Sequence, residues 1–469
     1  MFSANALPTR RELTILLVAL VLFLLYFNAT AYDSAPAQSL GSSRFQGIRE
    51  KLSGLVLGPT GPDYSREFGS QFAKSIQAAL NKWHLHSQLE LPDQGSARQG
   101  RMDWAEQLPQ TSIMTHVPGW TILDNVLVYK GSMYFVTDDP AAFPPMEAVS
   151  DWWQIHFINS TEASREFGSF GGRVTGISWF STDEAKDVGR FTLLGLQRLH
   201  AAVSALPPAR LVMPRISGPR PPPSLDSSLL HYAFSALSVW LKPEWDDFGD
   251  IIKPWLYERV VLASMGAAAH VWGDAVSWAP PFFVPAPDNW WSAIRTRIHD
   301  GIGLPSSSVP VVTYMTQGRA GLRLGGATRE ALVHGLEKLA QATGAELHIL
   351  DPTDTRTRSF KNRAELIARS RILIGSPSAA LDDAVFLRPG ATLMEFFPPG
   401  VMLHDHGLPA RMMGVEYIAW WGDKSFSASD IPHAKDTMPF TNNATLGENV
   451  PLAVDAVLDA ISSRISGDL

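Results

Sequence analysis

Three short loops late in the chain carry residue types that suit an anionic ligand. Thr316-Gln317-Gly318-Arg319-Ala320-Gly321-Leu322-Arg323 offers two glycines for close backbone approach and two arginines, Arg319 and Arg323, whose guanidinium forks can hold a diphosphate. Ser376-Pro377-Ser378-Ala379-Ala380 is a small-residue turn expected to open a helix, where unpaired N–H groups would face an anion. Glu395 stands near the end of an apolar run, placed to accept a ribose hydroxyl. Each has a plainer reading: solvated surface arginines, an ordinary connection and a buried structural carboxylate. Their order and spacing argue for one site, with Thr316 and Ser376 as the first residue of their loops.

The elements around these loops alternate. Val311 to Met315, Glu346 to Leu350, Ile372 to Gly375 and Thr392 to Phe397 read as strands, and Arg329 to Thr343 and Ala364 to Ser370 as helices. Leu332, Val333, Leu336, Leu339 and Ala340 share one face of the first helix. Such βαβαβ alternation predicts a doubly wound parallel sheet with helices on both faces, and ligands of such sheets bind beyond the carboxyl ends of the strands.

Upstream, Phe72, Ile76, Leu80 and Trp83 recur at helical spacing, so Ser70 to Trp83 is expected to be an amphipathic helix. Thr121 to Thr137 holds two β-branched runs around Tyr129-Lys130-Gly131-Ser132, the composition of a hairpin. Proline density makes Pro214 to Pro223 an extended loop, followed by a helix from Ser227 or Ser228, and Pro280 to Pro287 marks a third break. Asp138-Asp139 is adjacent rather than spaced and precedes a proline turn, which argues against a metal site.

With 469 residues, 45% hydrophobic and 18% charged, the chain can bury more than one core. A net charge of -7 without a basic block makes nucleic acid an unexpected partner. The absence of cysteine excludes disulfides, thiolate zinc sites and cysteine nucleophiles. Fifteen tryptophans include the doublets Trp152-Trp153, Trp290-Trp291 and Trp420-Trp421, which serve either as core or as faces for sugar rings.

Leu13 to Phe27 is uncharged and apolar, with Arg10 and Arg11 before it. It is read as a signal anchor (residues 13–32) after a cytoplasmic tail (1–12), the positive flank placing the rest in the lumen as a single-pass type II protein. A cleaved signal peptide is the alternative, since Ala29-Thr30-Ala31 has the small-x-small pattern. Residues 33–54 read as a stem. Asn159-Ser160-Thr161 and Asn443-Ala444-Thr445 are candidate glycosylation sequons; Asn28 stands too near the bilayer.

Several segments resemble glycosyltransferase family 61, in its fungal members. VTYMTQGRAGLRL is similar to the pattern VTYISRQ…RR..L, IARSRILIGSPSAALDDAVFLRPG to LAARTTILLGVHGNGLTHLLFMPP, and MEFFPPGVMLHDHGLPARMMGVEYIAWWGD to IEIFFPGGFAHDYxWTARALGMxHFAVWND. Upstream, HVPGWTILDNVLVYKGSMYFVTDDPAAFP is similar to HAPGWTIFDNLYLxNGTLYIVTDxPxxFP. The family includes xylosyltransferases, xylan arabinosyltransferases and extracellular O-GlcNAc transferases.

The resemblance implies an α/β fold of two Rossmann-like lobes of GT-B type, here residues 55–300 on the acceptor side and 301–469 binding the donor. It implies inverting transfer from a UDP-sugar, with no cofactor and no obligatory metal, to a glycan or glycoprotein in the Golgi or endoplasmic reticulum. His231, in Leu230-His231-Tyr232-Ala233-Phe234, is similar to the family's HYYHF.AE and becomes the candidate base, with a structural histidine as the alternative. His404 and Asp405 are expected beside the nucleotide at a helix start, Asp405 as its N-cap. Pro377-Ser378 replaces the family's His-Gly, Gln317 replaces an arginine, and no acidic residue stands at Ser235 or Ala236. The alternative is therefore a catalytically inactive lumenal glycan-binding or scaffold protein.

Overall fold

The computed structural model describes residues 70–83, 109–167, 171–218, 220–221, 225, 227–251, 253–305, 309–318, 322–351, 359–427 and 449–467. The apolar amino-terminal run, the stem, Arg319 and the sequon at Asn443 lie outside the described residues. Among the described residues no helix is long and apolar enough to cross a membrane.

The fold is mixed α/β with two parallel-rich sheets. The first has eight strands: β1 (Ser112–Val117), β2 (Trp120–Tyr129), β3 (Ser132–Val136), β4 (Ile155–Ile158), β5 (Gly172–Ser181), β6 (Arg210–Val212), β7 (Ser238–Trp240) and β8 (Trp255–Ala263). Their order is β4-β3-β2-β8-β5-β6-β7, with β1 beside β2. β2 runs antiparallel to β1, β3 and β8, while β8, β5, β6 and β7 pair in parallel. The expected hairpin is present: Tyr129 pairs with Ser132, and Lys130 and Gly131 turn between them at φ 48° and 72°. Positive φ at both turn positions matches the right-handed twist of the flanking strands, which is why glycine belongs at the second.

The second sheet has six strands: β9 (Val311–Met315), β10 (Glu346–Leu350), β11 (Ile372–Gly375), β12 (Thr392–Phe397), β13 (Glu416–Trp421) and β14 (Lys424–Phe426). Its order is β10-β9-β11-β12-β13-β14, parallel except for the last strand. The chain winds first to one side of β9 and then to the other, so the strand order reverses between β9 and β11. Alternation divides the side chains. Ile372 and Ile374 pack with Leu332, Leu336, Val457 and Ile461 of the helices Gly326–Thr343 and Val454–Ser466. Leu373 joins the opposite face with Ala364, Ile367 and Ala368 of the helix Phe360–Arg369.

That second face belongs to an apolar core continuous with the first sheet's, holding Trp179, Leu193 and Val261 together with Leu373, Phe386 and Leu393. The described residues accordingly form one compact unit. The junction is fastened by side chains just before and within the helix Ser292–Ile302. Trp290 Nε1 donates to the Met412 carbonyl (2.7 Å), Trp291 Nε1 to Val385 (3.0 Å) and Arg295 to Met413 (2.5 Å). Trp290 and Trp291 are therefore core residues whose N–H groups find carbonyl partners.

Candidate functional site

The register of β9, β11 and β12 brings the three sequence-selected loops to one end of the second sheet. Met315, Gly375 and Glu395 are lateral neighbours, so Thr316 and Ser376 leave the sheet on either side of the point where strand order reverses. A Cβ on Gly375 would stand 3.2 Å from the Met315 carbonyl oxygen and as near the Leu381 side chain, which explains a glycine at this strand end.

Thr316 is half-buried, and its hydroxyl is engaged by the Leu350 carbonyl (3.2 Å) and Asp351 (3.1 Å) at the end of β10. Gly318 folds close beneath the returning loop, since a Cβ there would lie 2.8 Å from the Leu322 carbonyl. Gln317 and Arg323 are exposed.

The turn after β11 opens a 3-10 helix, Ala379–Phe386, rather than an α-helix. Ser376, Pro377 and Ser378 are buried, Ala379 is exposed and Ala380 half-buried. Ser378 is extended and accepts the Leu381 N–H through its carbonyl (3.0 Å), while its hydroxyl has no hydrogen-bond partner among the described residues.

Glu395 is 0% exposed. His406 Nδ1 lies 2.7 Å from its Oε1, and the Tyr417 hydroxyl donates to its Oε2 at 2.8 Å. Both oxygens are committed inside the protein, so the structure places Glu395 as a buried structural carboxylate. His406 continues the chain of contacts through Nε2 to Asp382 Oδ1, 3.1 Å away. Burial opposes the imidazolium, but the Glu395 charge and the hydrogen bonds to Asp382 and Glu395 outweigh it and hold His406 well above the ordinary histidine value.

The helix following His404 and Asp405 runs Gly407–Met412, with His406 rather than Asp405 at its N-cap position and no side-chain cap. The N-cap position thus falls one residue after the expected Asp405, while the backbone at His406 is already in the right-handed helical region and the Leu408 N–H reaches the His404 carbonyl (3.2 Å). His404 and Asp405 are both half-buried.

Next to Asp382, Asp383 ties the two halves together. Arg190, at the start of the helix Arg190–Val203 after β5, lies 2.8 Å from Asp383 Oδ1, and Arg363 lies 2.5 Å from Oδ2. Between this pair and the Gly407–Met412 helix runs a narrow crevice of about 10 Å³, room for about one water, in which Arg190, Asp382, Asp405 and His406 stand among mostly apolar side chains such as Phe191 and Leu194. A separate groove of about 520 Å³ lies at the far end of the Arg190–Val203 helix, beside Gln197, His200, Trp290 and Arg297. Of the residues singled out in the sequence, Trp290 lines it, while the three loops, Glu395, His404, Asp405 and His231 do not.

His231 is exposed on the helix Ser227–Ala233 and does not line the crevice. Its neighbour Tyr232 stacks on Phe360 (centroids 5.3 Å, planes 10° apart), and Phe360 meets Phe386 edge-on. His231 thus sits beside the junction of the halves. Asp138 does not stand open for a metal: it accepts from the backbone N–H of Ser160 at 2.9 Å, from the Ser160 hydroxyl and from Gln110 at 2.7 Å, and these bonds hold its carboxyl below the usual range. Asn159 caps the same helix, Ser160–Phe167, by accepting the Glu162 N–H at 2.8 Å, and remains half-exposed.

At the carboxyl ends of β5 and β8, Asp183 accepts from the N–H groups of Met265 (2.6 Å) and Gly266 (3.4 Å) and from the Ser181 hydroxyl. Burial, with the nearby Asp151 charge, pushes its carboxyl up to about 7 against those bonds. Arg215 joins Asp151, Glu184 and the Thr182 carbonyl around it.

Sequence reasoning assigned no site role to Arg190, Asp382, Asp383 or His406. A signal existed for the aspartates: Leu381-Asp382-Asp383-Ala384-Val385-Phe386 is an acidic pair inside an apolar run, and buried carboxylates require cationic partners. No protein-family model matches the chain, and no curated protein matches its sequence.

Proposed function

We propose that the chain is an inverting, UDP-sugar-dependent glycosyltransferase of the secretory pathway, with two Rossmann-like lobes of GT-B type and a membrane-anchoring amino terminus. The observation that supports this most is the reversal of strand order between β9 and β11, with the Gly318 loop on one side and the Ser376–Ala380 turn on the other. Ligands of open α/β sheets bind at such points, where backbone N–H groups converge. Arg323, exposed at the end of its loop, would meet the diphosphate, and Arg319 belongs to the same loop. Transfer of a pentose or N-acetylhexosamine to a glycan or glycoprotein hydroxyl needs no cofactor in this scheme. The departing diphosphate is stabilised by loop N–H groups and arginine.

One observation favours a second reading, a silent glycan-binding scaffold. Arg190, which lines the crevice, is paired with Asp383, as is Arg363, and Asp382 and Asp405 add negative charge. A panel of UDP-sugars tested by thermal stabilisation and by UDP release separates the two. A stabilising donor with measurable release supports the enzyme; stabilisation by oligosaccharide alone supports the scaffold.

A further inference from the structure

Asp382 is the outer end of a chain of polar groups that runs from the crevice into the core. Its side chain is 24% exposed and shares the crevice wall with Arg190, Phe191, Asp405 and His406. Behind it stand His406 (3.1 Å), then Glu395 (2.7 Å from His406), then the Tyr417 hydroxyl (2.8 Å from Glu395). The adjacent Asp383 is 2% exposed and ion-paired with Arg190 and Arg363. Of the two aspartates, Asp382 is the one with an oxygen to offer a ligand.

Resting on the reading of the chain as an inverting glycosyltransferase, we propose that Asp382 takes the proton of the attacking acceptor hydroxyl, with His406 and Glu395 as positioning residues behind it. An imidazolium held between two carboxylates leaves one net negative charge in apolar surroundings. Uptake of one proton at Asp382 leaves the set neutral. His406 links the two carboxylates, 3.1 Å from Asp382 on one side and 2.7 Å from Glu395 on the other. In the step itself the acceptor O–H bond breaks toward Asp382 as the acceptor oxygen bonds to the anomeric carbon. The bond from that carbon to the diphosphate oxygen breaks, and its electron pair leaves with UDP. The proton then returns to solvent through the crevice. The other charged and titratable groups around the set are Arg190 and Arg363, both paired with Asp383, Asp405 on the crevice wall and Tyr417 on β13.

The test compares full-length wild type with Asp382→Asn, Asp382→Glu, His406→Gln and His231→Gln. UDP release from UDP-xylose and UDP-GlcNAc is measured across pH, and UDP binding by calorimetry. Asp382→Asn is expected to lower kcat by about 100-fold or more, the usual scale for loss of a general base, with UDP affinity unchanged. Asp382→Glu restores part of that loss. His406→Gln moves the acid limb of the kcat profile while KM stays near wild type, a change that a purely structural role would not produce. Near-wild-type kcat in Asp382→Asn overturns the assignment, as does loss of kcat in His231→Gln with Asp382→Asn intact. A wild-type protein that neither binds UDP nor releases it removes the glycosyltransferase reading, and this assignment with it. An active wild type with an equally active Asp382→Asn removes the assignment alone.

Discussion

His406 and Glu395 form a charge pair sealed inside the protein: Nδ1 and Oε1 are 2.7 Å apart, and the glutamate has no exposed surface. The pair spans the end of β12 and the start of the Gly407–Met412 helix, so it fixes the wall of the crevice on which Asp382 depends.

The raised value of His406 sets the sign of a pH effect. A histidine that holds its proton more tightly when folded contributes fully below the ordinary value of about 6.5, and that contribution is lost as pH rises through the folded value. Urea unfolding midpoints should therefore fall on the alkaline side, and His406→Gln should lack that part of the fall. Parallel pH profiles for the two proteins would contradict the pairing.

Asp183 predicts a gain rather than a loss. Its carboxyl is pushed up to about 7, so the folded form keeps a proton that the unfolded chain releases above about 4, and stability is lost as pH rises through that window. Asp183→Asn preserves an oxygen to accept the Met265 N–H and removes the buried charge. It should raise stability by about 1–3 kcal/mol at pH ~8 and by little at pH ~4. Destabilisation at both pH values would show that the carboxylate is better accommodated than its burial suggests.

Arg190 and Asp383 should be coupled. Asp383→Ala leaves two guanidinium groups facing each other, so it should cost about 3–5 kcal/mol and exceed Arg190→Ala, which leaves Asp383 with Arg363. A double-mutant cycle by urea denaturation measures the coupling. Additive losses would mean that this contact does not help hold the two halves together.

The second sheet was legible because its strands are continuous apolar runs and its helices keep a 3.6 period. Gly326–Thr343 and Phe360–Arg369 extend three and four residues further toward the amino terminus than the apolar stripes began; their N-cap residues, Gly325 and Ser359, make no side-chain capping bond. The hairpin at Lys130-Gly131 was legible from turn chemistry alone. The parallel block β8-β5-β6-β7 was not: β6 and β7 are three residues each, too short for any period. The candidate site was half legible. Strand register places Thr316, Ser376 and Glu395 together, but the sequence could not tell that Glu395 points into a partnered interior while Asp382 reaches the crevice. Of the tryptophans, Trp153 alone among the three doublets stands 75% exposed, a distinction that adjacency to Trp152 conceals.

The proposed anchor and the sequon at Asn159 make a joint prediction for expression in a eukaryotic secretory system. High-salt extraction without detergent should leave the protein in the pellet, because burial of an apolar span is insensitive to ionic screening. Endoglycosidase treatment should shift its mobility, and Asn159→Gln should remove at least one step of that shift. A soluble product beginning near Tyr32 would establish cleavage instead.

The proposed donor site is tested most directly by calorimetric titration of UDP into full-length protein, wild type beside Arg323→Ala, Arg319→Ala and an EDTA-treated sample. Saturable binding is expected in wild type. At least one arginine variant should be weaker by about 1.5–3 kcal/mol, the worth of a hydrogen bond to a charged group, and chelator should change little. Absence of UDP binding by folded wild-type protein, or binding abolished by EDTA with both arginine variants unaffected, would contradict a metal-independent nucleotide-sugar site between β9 and β11.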